Sequence, residues 1–251
     1  MKLTILGSGT HVPVAHRSNP AYLFDINNRT VLFDCGSGTL RQIAKANRSE
    51  WEIDKIFLSH LHIDHTMDLI PLFFTYKYQK EFETEYKEIP IFAHQDFSKR
   101  LESLKNIYGK WINGAKRKYK HVAMKSGQTV FDDFKIETFQ ANHTDQSLIF
   151  RLTDDKNRKF VYSGDTSPTE DLIRAAYKTD LLLIECSGHE NSETKGHLSP
   201  NDVKSIILES IPKKTIVTHI NPKIDNLELL EKVAPKNFDI EIARDLAIFE
   251  V

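Results

Sequence analysis

Three imidazoles and a carboxylate fall within six consecutive positions of this chain, in Ser59-His60-Leu61-His62-Ile63-Asp64-His65. They follow the apolar run Ile56-Phe57-Leu58, which has the length and composition of a buried strand. A strand keeps alternate side chains on one face, whereas a loop leaving its carboxyl end can turn all four groups inward. Imidazole nitrogen and carboxylate oxygen together suit zinc and other borderline divalent ions. Histidines this crowded would repel one another once protonated, and a bound dication removes that conflict. A solvated polar loop explains a lone His-x-His equally well, but it accounts poorly for His-x-His-x-Asp-His placed directly after a strand.

One motif supplies too few ligands for two ions, so the remaining ligands are expected at the ends of other strands. Three residues fit. His143 follows Phe139-Gln140-Ala141-Asn142, Asp165 follows Phe160-Val161-Tyr162-Ser163-Gly164, and His219 follows Thr215-Ile216-Val217-Thr218. Each stands just beyond a short apolar or β-branched run, where an α/β fold gathers its functional groups.

In that order, His60, His62, Asp64, His65, His143, Asp165 and His219 resemble the ligand set of the metallo-β-lactamase superfamily, over nearly the whole chain. The resemblance implies an α/β fold, a four-layer αββα sandwich, as one domain over residues 1–251. It also implies two divalent ions, zinc foremost with manganese or iron as alternatives. His60, His62 and His143 would hold one ion and Asp64, His65 and His219 the other, with Asp165 bridging. Asp64 is then both ligand and catalytic carboxylate, and a hydroxide between the ions is the nucleophile. Asp165 stands where antibiotic hydrolases place Cys, and His62 where di-iron redox members place Glu. Both departures point to hydrolysis.

Gly7-Ser8-Gly9-Thr10-His11-Val12-Pro13, with Arg17-Ser18-Asn19-Pro20, resembles the opening of the ribonuclease Z-like and phosphodiesterase-like branch. By itself the stretch is a tight turn whose glycines allow close backbone approach. Asp34-Cys35-Gly36 resembles the superfamily segment whose Asp supports the metal loop, although a carboxylate there could also cap a helix starting near Thr39. His197, in Gly196-His197-Leu198-Ser199-Pro200, resembles the histidine that ribonuclease Z-like enzymes place opposite the metals to assist the leaving group. His11, His16, His94, His121 and His189 have no partners visible in sequence and default to surface or packing roles.

The elements that must position these groups follow a strand-loop-helix rhythm. A hairpin is expected over Ala21 to Ile26 and Thr30 to Asp34, turned at Asn27-Asn28. Helices are expected over Met67 to Tyr78 and Phe97 to Tyr108, and strands over Ile89 to Ala93, Val130 to Thr138, Ser147 to Thr153 and Leu181 to Glu185. Ser199 is the expected N-cap of a further helix with Pro200 at its first position. Lys110, Lys116, Arg117, Lys118 and Lys120 surround Trp111 and Tyr119, a pattern that can hold a nucleotide strand, though a solvated face is favoured.

The 251 residues are 40% hydrophobic, enough for a large core. The net charge of −1 argues against a broadly basic nucleic-acid surface. Leu3-Thr4-Ile5-Leu6 is too short for a signal-peptide core, and no run reaches membrane-spanning length, so a cytoplasmic, non-membrane protein is expected. Cys35 and Cys186 give no disulfide framework and read as reduced structural thiols. The sequence leaves the oligomeric state open, with a homodimer allowed.

The leading functional expectation is hydrolysis of a small phosphodiester or cyclic nucleotide. The chain shows no long Gly/Pro-rich arm of the kind that grips tRNA, which places RNA second. Ribonuclease Z-like tRNA 3′ processing, thioester or lactone hydrolysis, and a non-catalytic metal-stabilised sensing module are the alternatives.

Overall fold

The computed structural model describes residues 1–78, 87–189, 196–225 and 228–250. One seven-stranded sheet contains β1 (Lys2–Gly7), β2 (Ala21–Ile26), β3 (Arg29–Phe33), β4 (Ile53–Phe57), β5 (Ile89–His94), β6 (Tyr119–Met124) and β14 (Ile248–Glu250), in the order β14-β1-β2-β3-β4-β5-β6. The second contains β7 (Gly127–Val130), β8 (Phe134–Gln140), β9 (Leu148–Asp154), β10 (Lys159–Tyr162), β11 (Leu181–Glu185), β12 (Lys214–Thr218) and β13 (Asp239–Ile242), in the order β13-β12-β11-β10-β9-β8-β7.

Alternation of side chains across each strand explains the layering. Leu181 and Leu183 point between the sheets, where they join Phe24, Phe33, Phe57 and Phe160 in one apolar cluster. Phe24 stacks on Phe160 across the gap, with ring centroids 4.3 Å apart. Leu182 and Ile184 point the other way, against α5 (Glu170–Ala176) and α6 (Pro200–Ser210), while α7 (Leu229–Val233) closes the same face. On the first sheet's outer face, Leu32, Ile56 and Leu58 meet α1 (Thr39–Lys45), α3 (Leu69–Tyr78) and α4 (Phe97–Tyr108). The result is the expected helix-sheet-sheet-helix sandwich.

Local chemistry accounts for several boundaries. Asn27 and Asn28 both adopt positive φ, 46° and 61°, as a two-residue turn between twisted strands demands. Ser199 caps α6 with Asp202 completing a reciprocal box and Pro200 in the first turn. Gly7 packs so closely on the 18–19 loop that a Cβ there would lie 1.8 Å from the Asn19 carbonyl oxygen. Cys35 and Cys186 are buried and form no disulfide.

Three expectations are corrected. Val130 to Thr138 is not one strand, because the chain turns at 131–133 and Val130 pairs back with Lys135. Asp34 does not cap α1, whose Leu40 N–H donates to Asp68 Oδ2 at 3.0 Å. In the basic segment, Arg117 is only 5% exposed, donates to the Trp51 and Ile53 carbonyls, and lies over the Tyr76 ring. Tyr119 stacks on Phe73 at 3.8 Å. Both side chains are engaged by contacts within the fold.

Candidate metal centre

Parallel pairing brings the carboxyl ends of β3 and β4 to one edge of the first sheet, and those of β10, β11 and β12 to one edge of the second. β8 runs the same way as β10, since both pair antiparallel with β9. His60, His143, Asp165 and His219 all follow such ends, where open α/β sheets expose their loops.

The loop after β4 alternates. His60 is buried on the site side, Leu61 enters the helix-covered core, and His62 lies on the solvent-exposed rim with Nδ1 3.0 Å from His143 Nε2. The chain then starts a short helix, α2 (Ile63–Thr66), that carries Asp64 and His65. Asp34, in the left-handed region at φ 54°, accepts from the Ser59 N–H at 2.7 Å, Ser59 Oγ at 2.8 Å, His65 Nδ1 at 2.7 Å and the Tyr162 hydroxyl at 2.6 Å. A proton held on His65 Nδ1 leaves Nε2 to face the site. His143 is fixed likewise by donation from Nδ1 to the Gly196 carbonyl at 2.8 Å. His219, also left-handed at φ 54°, is held where the Ile220 N–H donates to the Ser8 carbonyl.

Asp165 is the hub. Its Oδ2 lies 3.7 Å from His60 Nε2, 3.3 Å from His65 Nε2, 3.9 Å from His143 Nε2 and 3.5 Å from His219 Nε2. Asp64 Oδ2 lies 3.8 Å from His65 Nε2 and 3.6 Å from His219 Nε2. Ligand atoms of His60, His62, His143 and Asp165 all fall within 4.8 Å of one another, as do those of Asp64, His65 and His219. All seven residues singled out in the sequence are thus brought together.

The donor set fits divalent cations on a direct observation. His60 Nε2, His65 Nε2, His219 Nε2 and Asp165 Oδ1 are buried without a hydrogen-bond partner. An unsatisfied buried polar group costs about 1–3 kcal/mol, so four converging on one space require a partner. The electrostatics agree. Burial alone would raise the Asp165 carboxyl, but the imidazoles of His219, His65 and His60 hold it well below the usual range. Burial lowers His65, yet Asp165 and Asp34 outweigh it and raise that imidazole well above its ordinary value. Burial, with His65 beside it, drives His60 well down, and burial also lowers His62 and His143. Asp64 would rise on burial, but His219 and His65 bring it to about 2.

His197 sits on the open side, with Nδ1 4.0 Å from Asp165 Oδ2 and 2.8 Å from Glu185 Oε1. Burial opposes its charge, but the Glu185 carboxylate prevails and pushes it up to about 9. Glu185, fully buried, also accepts from the Thr166 N–H and from Ser187. Sequence reasoning passed over Glu185, Tyr162 and Ser59. For Glu185 the signal was present, because a carboxylate ending an apolar strand is the pattern that marked Asp165.

The family model described as anti-Pycsar protein Apyc1 matches residues 1–238. The chain belongs to that family. A ribonuclease Z of Archaeoglobus fulgidus is 24% identical over an alignment of 307 positions, covering 100% of this chain and 97% of that protein. The probable metallo-hydrolase YhfI of Bacillus subtilis is 26% identical over 245 positions, 96% of each. The crystal structure of YhfI superposes with a TM-score of 0.82 at 23% identity, covering 99% of this chain and 98% of that one. Human tRNase Z, short form, does so with a TM-score of 0.80 at 20% identity, covering 100% and 99%. The fold is that of the metallo-β-lactamases, and the chain is a metal-dependent hydrolase. No helix among the described residues is long and apolar enough to cross a membrane.

Proposed function

We propose that this protein hydrolyses a small phosphodiester, with a cyclic nucleotide as the leading class, at a centre of two divalent ions, zinc foremost. His60, His62 and His143 would hold one ion, Asp64, His65 and His219 the other, and Asp165 both. Ions so held supply an activated water and a Lewis acid for the phosphoryl oxygens.

The observation that carries this reading is the Glu185–His197 pair beside Asp165. A buried carboxylate keeps a protonated imidazole on the open side of the cluster, and its Nε2 proton can pass to a departing alkoxide. Phosphodiesters expel poor alkoxide leaving groups and need that proton. Thiolates leave without it, and a sensing module has no use for it. Asp64, anionic at neutral pH, accepts rather than donates hydrogen bonds in the same space.

A small substrate is favoured over tRNA on two grounds. The ribonuclease Z alignment needs 307 positions for a chain of 251 residues, whereas the YhfI alignment spans 245. The buried Arg117 also removes one cation from the candidate RNA surface.

The test is turnover of cyclic nucleotides, linear diesters, thioesters, lactones and a precursor tRNA with several divalent metals, for wild type and His197→Ala. Small diesters should be turned over, and His197→Ala should lose about 10²–10⁴-fold with metal content unchanged. Efficient tRNA cleavage with small diesters barely touched would make the protein a ribonuclease Z-like endonuclease. Loaded protein inert on every substrate would make it a sensing module.

A further inference from the structure

Three loops carrying site residues are stitched into a closed ring of hydrogen bonds. The Asn142 N–H donates to Thr166 Oγ1 at 3.0 Å and the Ser167 N–H to the Asn142 carbonyl at 2.9 Å, which ties the His143 loop to the Asp165 loop. Ser167 Oγ accepts from the Gly196 N–H at 2.9 Å. The ring closes where His143 Nδ1 donates to the Gly196 carbonyl at 2.8 Å.

Gly196 has φ 93°, and a Cβ on it would stand 2.6 Å from His143 Nδ1. An L side chain is strained there by backbone and neighbour alike, so only glycine leaves the imidazole where it is. We propose that Gly196 is a positioning residue for the metal centre, its carbonyl holding the His143 proton on Nδ1 so that Nε2 faces the other candidate ligands, 3.0 Å from His62 Nδ1 and 3.9 Å from Asp165 Oδ2. This rests on the reading of His143 as a metal ligand. Partners of this kind fix the tautomer and ring orientation of ligating histidines.

The next residue is His197, so the carbonyl that orients His143 belongs to the peptide unit leading into the acid. A second closure reinforces the first, because Glu185 Oε1 accepts from both His197 Nδ1 and the Thr166 N–H, at 2.8 and 3.0 Å. Ligand orientation and acid placement therefore share one short piece of backbone.

The experiment uses metal-stripped full-length protein as wild type, Gly196→Ala, Ser167→Ala and His143→Ala. Zinc affinity is measured by competition with a chromophoric chelator, and the His143 tautomer by long-range ¹⁵N–¹H imidazole spectra, neither of which needs turnover. Wild type should carry the His143 proton on Nδ1. Gly196→Ala should lose that signature and bind its weaker zinc about 10–100-fold less tightly. Ser167→Ala, which slackens only the anchor, should fall between them. Thermal melts of the stripped proteins show whether Gly196→Ala folds, and if it does not, Ser167→Ala carries the test. Unchanged zinc affinity in the folded variants, with the His143 proton still on Nδ1, overturns the proposal. Equal zinc binding by wild type and His143→Ala would overturn the metal reading instead.

Discussion

Glu185 Oε1 lies 2.8 Å from His197 Nδ1, joining a fully buried carboxylate to a ring that is still partly open to solvent. The pairing fixes the orientation of the ring and leaves Nε2 directed away from the carboxylate. Glu185→Gln keeps the shape but removes the charge that holds the proton. Turnover of alkyl diesters should fall by about 10²-fold or more. Nitrophenyl diesters, whose leaving group departs unaided, should lose much less. Equal loss on both substrates would show that Glu185 supports the fold rather than the acid.

Asp165 stands at the centre of the ligand set, so its removal should be felt by both ions. Elemental analysis of gently purified wild type should approach about two divalent ions per chain. Asp165→Ala should lose at least one of them together with activity. Full activity with a single tightly bound ion would sink the binuclear arrangement.

The basic segment now divides into a structural part and an exposed part. Arg117→Ala removes the donors to the Trp51 and Ile53 carbonyls and should cost roughly 2–4 kcal/mol in denaturant unfolding. Lys116 and Lys118 are exposed, so Lys116→Glu with Lys118→Glu should leave the fold intact. Its catalytic efficiency on a small diester should match wild type across a salt series. A polynucleotide guided by this surface would lose binding with both charge reversal and salt, since phosphate contacts release counterions. Efficient tRNA cleavage that collapses in the double variant would reverse the ranking of substrates.

Asp225 accepts from Arg17 through both carboxylate oxygens, at 2.7 and 2.8 Å, with His16 alongside at 2.9 Å. The Arg17 hydrogen bonds chiefly bring its carboxyl to about 2, against about 3.9 in an unfolded chain. A carboxyl depressed by folding stabilises above its unfolded pKa, and that contribution fades as pH falls through the folded value. The melting-temperature gap between wild type and Asp225→Asn should therefore shrink as pH falls between about pH 4 and pH 2. A gap that does not change with pH would mean that the side chain acts through shape alone.

The sequence was most legible where local chemistry decides the outcome. The turn at Asn27-Asn28, the Ser199-Pro200 helix start and the Phe97–Tyr108 helix rest on neighbours within a few positions. The seven candidate ligands were legible because each follows a strand. Features that depend on distant partners were not. Arg117 can be buried only because two carbonyls more than sixty positions away accept its protons. Tyr162 finds Asp34 only once the two sheets face each other. The turn at 131–133 did leave a local mark, because Asp132-Asp133 breaks the apolar alternation between Val130 and Phe134, and a single strand over Val130 to Thr138 passes over that break.

The register of β11 against β12 links Glu185 to the uniqueness of the fold. Leu183 pairs with Ile216 and Glu185 with Thr218, which puts Glu185 on the same side of the sheet as Leu181 and Leu183. A slip of one residue would turn every β11 side chain to the opposite face. Glu185 would then enter the apolar layer beneath α5 and α6, away from His197, Thr166 and Ser187, and an uncompensated buried carboxylate costs several kcal/mol. The carboxylate that charges the acid is therefore also a mark of correct assembly, because it penalises the neighbouring misfolded alignment and widens the energy gap around the native one.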